Sequence, residues 1–190
     1  MAEPARRRAS YADVLNAPPH QVAQVLDGEL HLHPRPAMPH AVTAAVLGMD
    51  LGNPFQRGRG GPGGWWIFDE PELHLGPEPD IVIPDLGGWR MERMPEAPQT
   101  AYVTLRPDWV CEVLSDSTRG IDRGVKMRIY AREGVPHVWL VDPIARMLEV
   151  FRLDGATYRF IASHEGDVSI GIEPFEAVEL ELGALWGKRG

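Results

Sequence analysis

One cysteine and two lysines are the scarcest informative residues of this chain. The lone thiol, Cys111, excludes a disulfide scaffold within the chain and fits a reducing compartment. It sits inside an apolar run, where a thiol is usually inert, so a cysteine-nucleophile hydrolase has no support. No apolar stretch approaches the ~20 residues that span a bilayer, and Arg6-Arg7-Arg8 is followed by Ala9-Ser10-Tyr11-Ala12-Asp13 rather than by the hydrophobic segment of a secretory signal. The expectation is a soluble, cytoplasmic protein with no membrane partner. Basic residues are also few: 19 Lys and Arg stand against 27 Asp and Glu, a net charge of −8. That excludes coating nucleic acid by bulk electrostatics. It leaves room for a nuclease, in which a bound divalent cation brings positive charge to the phosphate locally.

The composition, 44% hydrophobic and 24% charged, is that of a globular chain able to bury roughly 70% of its unfolded surface. Residues 1–10 are polar and unpatterned and are expected to be disordered; residues 11–190 are expected to form a single domain. Tyr11 to Asn16 reads as a short helix stopped by Pro18 and Pro19. Gln21 to Leu26 and Glu29 to His33 flank Asp27-Gly28, a type I′ turn signal, and predict an N-terminal β-hairpin. Ala41 to Leu51 predicts a helix entered at His40, and the glycine-rich Gly52 to Gly64, with Arg57 and Arg59, predicts a mobile loop. Strands are predicted at Trp65 to Leu75, Asp80 to Leu86, Tyr102 to Leu105 and, most clearly, Trp109 to Leu114. A helix from Ser117 to Arg132 ends at Gly134, and further strands lie at Val138 to Val141, Leu148 to Leu153 and Thr157 to Ala162. Leu182 to Trp186 predicts a last helical turn. Together these elements make a mixed α/β (α+β) domain.

Alternation along Trp109 to Leu114 places Val110, Glu112 and Leu114 on one face and Trp109, Cys111 and Val113 on the other. Both faces read as buried, so Glu112 needs compensation from a metal, a cation or several hydrogen bonds. In Asp80-Ile81-Val82-Ile83-Pro84-Asp85, the residues Ile81, Ile83 and Asp85 share a strand face that Asp85 closes. Two neighbouring strands could then bring Asp85 and Glu112 to one Mg²⁺ or Mn²⁺, ions that favour oxygen ligands. Lys126 stands out against seventeen arginines, because lysine offers a compact, mobile charge where arginine offers a planar fork. On a helix whose buried stripe is Ile121, Val125 and Ile129, it borders the buried side and can turn its ammonium towards the strand end. An Asp122–Lys126 ion pair at i,i+4 is the simpler alternative, as an arginine partner is for Glu112. Tyr130 could donate a hydrogen bond or merely pack. Glu29, His31 and His33 share a strand face with metal-like spacing, but a plain amphipathic strand buried through Leu30 and Leu32 explains the pattern better. The tryptophans read as core.

Pro84-Asp85, Pro107 to Ser115, Ser117 to Lys126 and Tyr130 to Pro143 resemble the Uma-type putative restriction endonucleases, within the PD-(D/E)xK nuclease superfamily. The resemblance extends to the Asp27-Gly28-Glu29-Leu30 hairpin and to Val178-Glu179-Leu180 with Leu182 to Trp186. It implies a restriction-endonuclease-like mixed β-sheet flanked by helices, a divalent metal and hydrolysis of phosphodiester bonds. The expectation is Mg²⁺ or Mn²⁺ as the metal and DNA as the substrate, with a homodimer because cutting both strands of a duplex needs two sites. In this superfamily the lysine usually falls two residues after the acidic one, a position held here by Leu114. The resemblance implies that Lys126 replaces it, with Asp85 and Glu112 as metal ligands and all three as the catalytic set. Asp80 rivals Asp85 as the motif aspartate, and Glu72, Glu29 and His40 are candidates to complete the site. A different class of function, a catalytically inactive nuclease fold that binds a protein partner, is the competing expectation.

Overall fold

The computed structural model describes residues 7–187. Of the segment expected to be disordered, residues 1–6 lie outside the described residues, whereas Ala9 donates its N–H to the Gly28 carbonyl at 2.8 Å and Arg7 pairs with Asp13. Helix α1 (Tyr11–Leu15) leads into the hairpin of β1 (Gln21–Leu26) and β2 (Glu29–Pro34). Asp27 and Gly28 both take positive φ, 52° and 83°, which the two-residue turn requires. The burial of β2 is the reverse of the expectation: Leu30 and Leu32 are 38% and 42% exposed, and His31 and His33 turn inwards. The cause is polar. Gln24 on β1 hydrogen-bonds the His33 imidazole at 2.8 Å, which holds the histidine face of this edge strand against the protein.

Helix α2 (Met38–Leu51) starts before His40, because Pro39 fits the first turn, where its missing N–H costs nothing. His40 is thus inside the first turn rather than at its entry. Part of the predicted loop is not a loop: Gly52–Gln56 continue α2 as a π-helical turn, drawn inwards by Phe55, which packs 4.7 Å from the Phe175 ring. Gly61 closes over this turn so tightly that a Cβ would stand 2.4 Å from that of Pro54.

Two of the predicted strands are each two. Trp65 to Leu75 divides into β3 (Trp65–Asp69) and β4 (Leu73–Leu75), broken where Glu70 adopts φ 42° before Pro71. Asp80 to Leu86 divides into β5 (Asp80–Val82) and β6 (Leu86–Arg90), because Pro84 supplies no N–H to a ladder. Asp85 therefore lies in the link between two sheets, not at the end of a face shared with Ile81 and Ile83. Tyr102 to Leu105 contributes one bridge, Val103 to Leu73.

The larger sheet runs β10-β9-β8-β7-β6-β3, with β7 (Trp109–Val113), β8 (His137–Asp142), β9 (Met147–Asp154) and β10 (Thr157–Glu165). Its only parallel pair is β7–β8, joined across the helical segment α3 (Arg119–Ile121), a π turn at Asp122–Lys126, and α4 (Met127–Arg132). The smaller sheet runs β2-β1-β5-β4, and a ribbon of β11 (Ser169–Gly171) and β12 (Glu179–Glu181) precedes α5 (Leu182–Leu185).

Each face of β7 meets its own core. Trp109, Cys111 and Val113 pack with α2, α5, Trp65, Trp139 and Phe175; Val110 and Leu114 pack with α4 and the smaller sheet. Four ring contacts centred on Phe175, at 4.7 to 5.6 Å, account for much of the first core and place Trp65, Trp109 and Trp139 there. Cys111 is fully buried, and burial pushes its thiol well up, so it is inert. No helix among the described residues is long and apolar enough to cross a membrane.

Candidate active site

Glu112 lies on the α4 face of β7 and is 1% exposed. Both oxygens are engaged: Tyr130 donates to Oε1 at 2.5 Å and Lys126 to Oε2 at 2.8 Å. The cation beside this carboxylate is thus the lysine, not an arginine. Lys126 is itself 4% exposed and reaches Asp122 Oδ1 at 3.2 Å and the Ile83 carbonyl at 3.0 Å. The pairing with Asp122 and the pairing with Glu112 coexist.

The π turn explains why Lys126 is more deeply buried than a regular helix would place it. One extra residue in the turn shifts the helical phase, so the inward stripe is Asp122, Lys126, Ile129 and Tyr130, while Ile121 and Val125 are only half-buried. Asp85 reaches the same place from the opposite side. β6 pairs with β7 in the register Leu86↔Cys111, which brings Asp85, one residue before, level with Glu112. Since β6 has ended there, the Asp85 side chain replaces its backbone and accepts the Val113 N–H at 2.6 Å. Its other oxygen stands 3.0 Å from His40 Nε2.

Asp85, Glu112, Asp122 and Lys126 line one cavity of about 30 Å³, with His33, His40 and Glu70 at its edge. That volume holds about two water molecules. Three carboxylates against one ammonium leave an excess of negative charge that burial makes costly. Burial therefore pushes the Glu112 carboxyl up to about 8, with Asp122 and Asp85 adding to the shift and Lys126 opposing it. Burial pulls the Lys126 ammonium down, but Glu112, Asp122 and Asp85 outweigh it and hold the ammonium above its ordinary range. His40 is likewise raised: burial lowers it, and the Asp85 carboxylate more than restores it.

The Glu112 shift fixes a sign for stability. Between about 4.5 and about 8 the native protein keeps a proton that the unfolded chain releases, so this group's contribution falls as pH rises through that window. In chelator, the loss of stability between pH 5 and pH 8 is expected to be smaller for Glu112→Gln than for the wild type in urea unfolding. Identical slopes for the two proteins would contradict it.

Hard oxygen donors from Asp85 and Glu112 around a small, electron-rich cavity fit Mg²⁺ or Mn²⁺, which use one or two carboxylates and complete their shells with water and phosphate. An all-protein cage is not formed: among the described residues no three His, Cys, Asp or Glu side chains are gathered to hold a metal. The other predicted residues divide clearly. His40 and Tyr130 contact the pair directly. Asp80 is buried elsewhere; it accepts the Asp27 N–H at 2.6 Å and pairs with Arg132, tying the hairpin turn to the end of α4. Glu72 is occupied by His74 at 2.8 Å and by Tyr11. Glu29 is exposed at the hairpin and does not line the cavity. Glu70 and Asp122 line it although the sequence does not mark them as site residues, and His33 lines it although its strand face reads as merely amphipathic. For Asp122 the i,i+4 spacing to Lys126 is the available signal; for Glu70 it is a charged residue directly before a strand-breaking proline.

The family model Uma2, described as a putative restriction endonuclease, matches residues 9–183. The chain belongs to the Uma2 family. A solved structure described as a putative nuclease belonging to DUF820, from Anabaena variabilis ATCC 29413, is similar to the Uma2 chain, with a TM-score of 0.72 at 17% identity. The match covers 94% of this chain and 98% of that one. At that identity the likeness shows the fold, a mixed α+β architecture shared along nearly the whole length. Among curated proteins none matches this Uma2 sequence.

Proposed function

We propose that the chain is a divalent-metal-dependent nuclease that hydrolyses phosphodiester bonds, with DNA as its substrate. The observation that carries this reading is the convergence of Asp85, from the link between the two sheets, and Glu112, from strand β7, on one small cavity with a buried Lys126. The family description, and the description of the similar structure as a putative nuclease, support the same class.

Asp85 and Glu112 would hold Mg²⁺ or Mn²⁺. When bound, such an ion polarises a phosphoryl oxygen and makes water a stronger nucleophile. The chain's own residues do the rest. Tyr130 orients the Glu112 carboxyl group through Oε1, and His40 with the Val113 N–H orients Asp85. Lys126, anchored by Asp122 and the Ile83 carbonyl, keeps a positive charge where negative charge builds on the phosphoryl group as water attacks and the P–O bond breaks. In a non-catalytic binding module the same ammonium would serve only to neutralise the buried carboxylates. The test is cleavage of DNA by the purified protein with Mn²⁺ or Mg²⁺ and its loss in chelator; a binding module leaves DNA intact in both.

A further inference from the structure

Beside the small cavity lies a much larger groove, about 710 Å³, and the two share Pro36, His40, Glu70 and Asp85. One wall is the α2 face bearing Ala41, Ala44, Ala45 and Gly48, a run of small residues bordered by the exposed Met49 side chain. Its far end carries Asn53 and Gln56 from the π turn that extends α2, and Arg57 directly after it. The Gln56 Oε1 accepts the Ile67 N–H at 2.8 Å, which fixes the carboxamide and leaves its NH₂ as a donor. Arg57 is exposed and makes no ion pair among the described residues. His40, whose side chain is 9% exposed, lines both spaces, and its Nδ1 has no hydrogen-bond partner among the described residues.

Resting on the nuclease reading, we infer that this groove binds an unpaired segment of polynucleotide next to the scissile phosphate, so that the substrate is single-stranded. Three features favour one strand over two. The groove has the size of a small-ligand pocket rather than of a duplex-length channel. Glu112 and Lys126 are 1% and 4% exposed, so the strand must bend into the concavity to bring a phosphate close, which costs a stiff duplex more than a flexible unpaired strand. The end of the groove nearest the site is acidic, with Asp69, Glu70 and Asp85. It tolerates one phosphate compensated by a divalent ion and repels the dense phosphates of a second strand. The alanine-lined wall accepts the apolar face of a base of any identity, the fixed Gln56 carboxamide and the Asn53 side chain offer donors and acceptors to base edges, and Arg57 takes a backbone phosphate at the far end.

The test compares a labelled single-stranded oligodeoxynucleotide, the same oligonucleotide annealed to its complement, and the oligoribonucleotide of that sequence, all with Mn²⁺. Binding is measured by fluorescence anisotropy to Lys126→Ala, and cleavage is measured with the wild type. Single strands are expected to bind about tenfold or more tightly than the duplex, with the two sugar types separating DNA from RNA as the source. Ala45 is exposed on α2, so Ala45→Trp fills the groove without entering a core; in either background it is expected to weaken single-strand binding about tenfold while Mn²⁺ affinity is unchanged. Equal or tighter duplex binding, or single-strand binding indifferent to Ala45→Trp, overturns the inference even if the wild type cuts DNA. Preferential single-strand binding without any cleavage instead overturns the nuclease reading and leaves the groove assignment standing.

Discussion

Lys126→Ala is expected to abolish cleavage, with kcat falling by about a thousandfold, the scale seen when one preorganised charge facing a developing anion is removed. The substitution takes away the one ammonium among three carboxylates at this site, together with the contact to the Ile83 carbonyl that steadies the link carrying Asp85. Metal affinity is expected to stay near the wild-type value, because a divalent ion becomes the counter-ion the carboxylates have lost. Folding is expected to survive, since burial already pushes the Glu112 carboxyl up to about 8, and the neutral acid needs no counter-ion. Lys126→Arg should be almost as damaging: a planar fork cannot replace a point charge serving Glu112, Asp122 and a backbone carbonyl in a buried space. Manganese binding and circular dichroism distinguish this outcome from unfolding. A Lys126→Ala protein that cuts at the wild-type rate removes the lysine from the mechanism.

Glu112→Ala is expected to lose both cleavage and metal. Asp85 alone then presents a carboxylate already shared with the Val113 N–H and His40, so Mn²⁺ affinity should fall by about a hundredfold or more, beyond the usual effect of losing an outer-sphere partner. This variant also leaves Lys126 and the Tyr130 hydroxyl buried with fewer partners, at a cost of about 3–5 kcal/mol. Glu112→Gln keeps the shape and should show the same loss of metal with a smaller loss of stability. Calorimetric titration with Mn²⁺ measures the metal affinity, and urea unfolding measures the stability. Equal metal affinity in wild type and Glu112→Gln removes Glu112 from the ligand set.

The parts of the site legible in the sequence are those governed by local periodicity. Burial on both faces of β7 follows from uninterrupted apolar alternation, and it makes Glu112 conspicuous as an ionisable group in the wrong solvent. The oddity of Lys126 is visible from the arginine bias alone. Its depth is not, because a π turn shifts helical phase without leaving a reliable signature in Asp122-Arg123-Gly124-Val125-Lys126. Asp85 stands out in the sequence for an inexact reason. Alternation continues through Pro84, so Asp80 to Leu86 reads as one strand, whereas the chain changes sheets there and the aspartate is placed by β6–β7 register and its bond to the Val113 N–H. Asp80 looks equivalent in sequence because its partners, the Asp27 N–H and Arg132, are distant along the chain. The inward turn of His33 is also a tertiary fact: either face of an isolated β2 could be buried, and the hydrogen bond to Gln24 decides between them.

The most direct measurement is cleavage of single- and double-stranded DNA with Mn²⁺ or Mg²⁺ by wild type and Lys126→Ala purified in the same way. Metal-dependent cutting by the wild type that disappears in the variant is the expected result; cutting that is equal in both, or absent from both on every DNA offered, contradicts a nuclease centred on Asp85, Glu112 and Lys126.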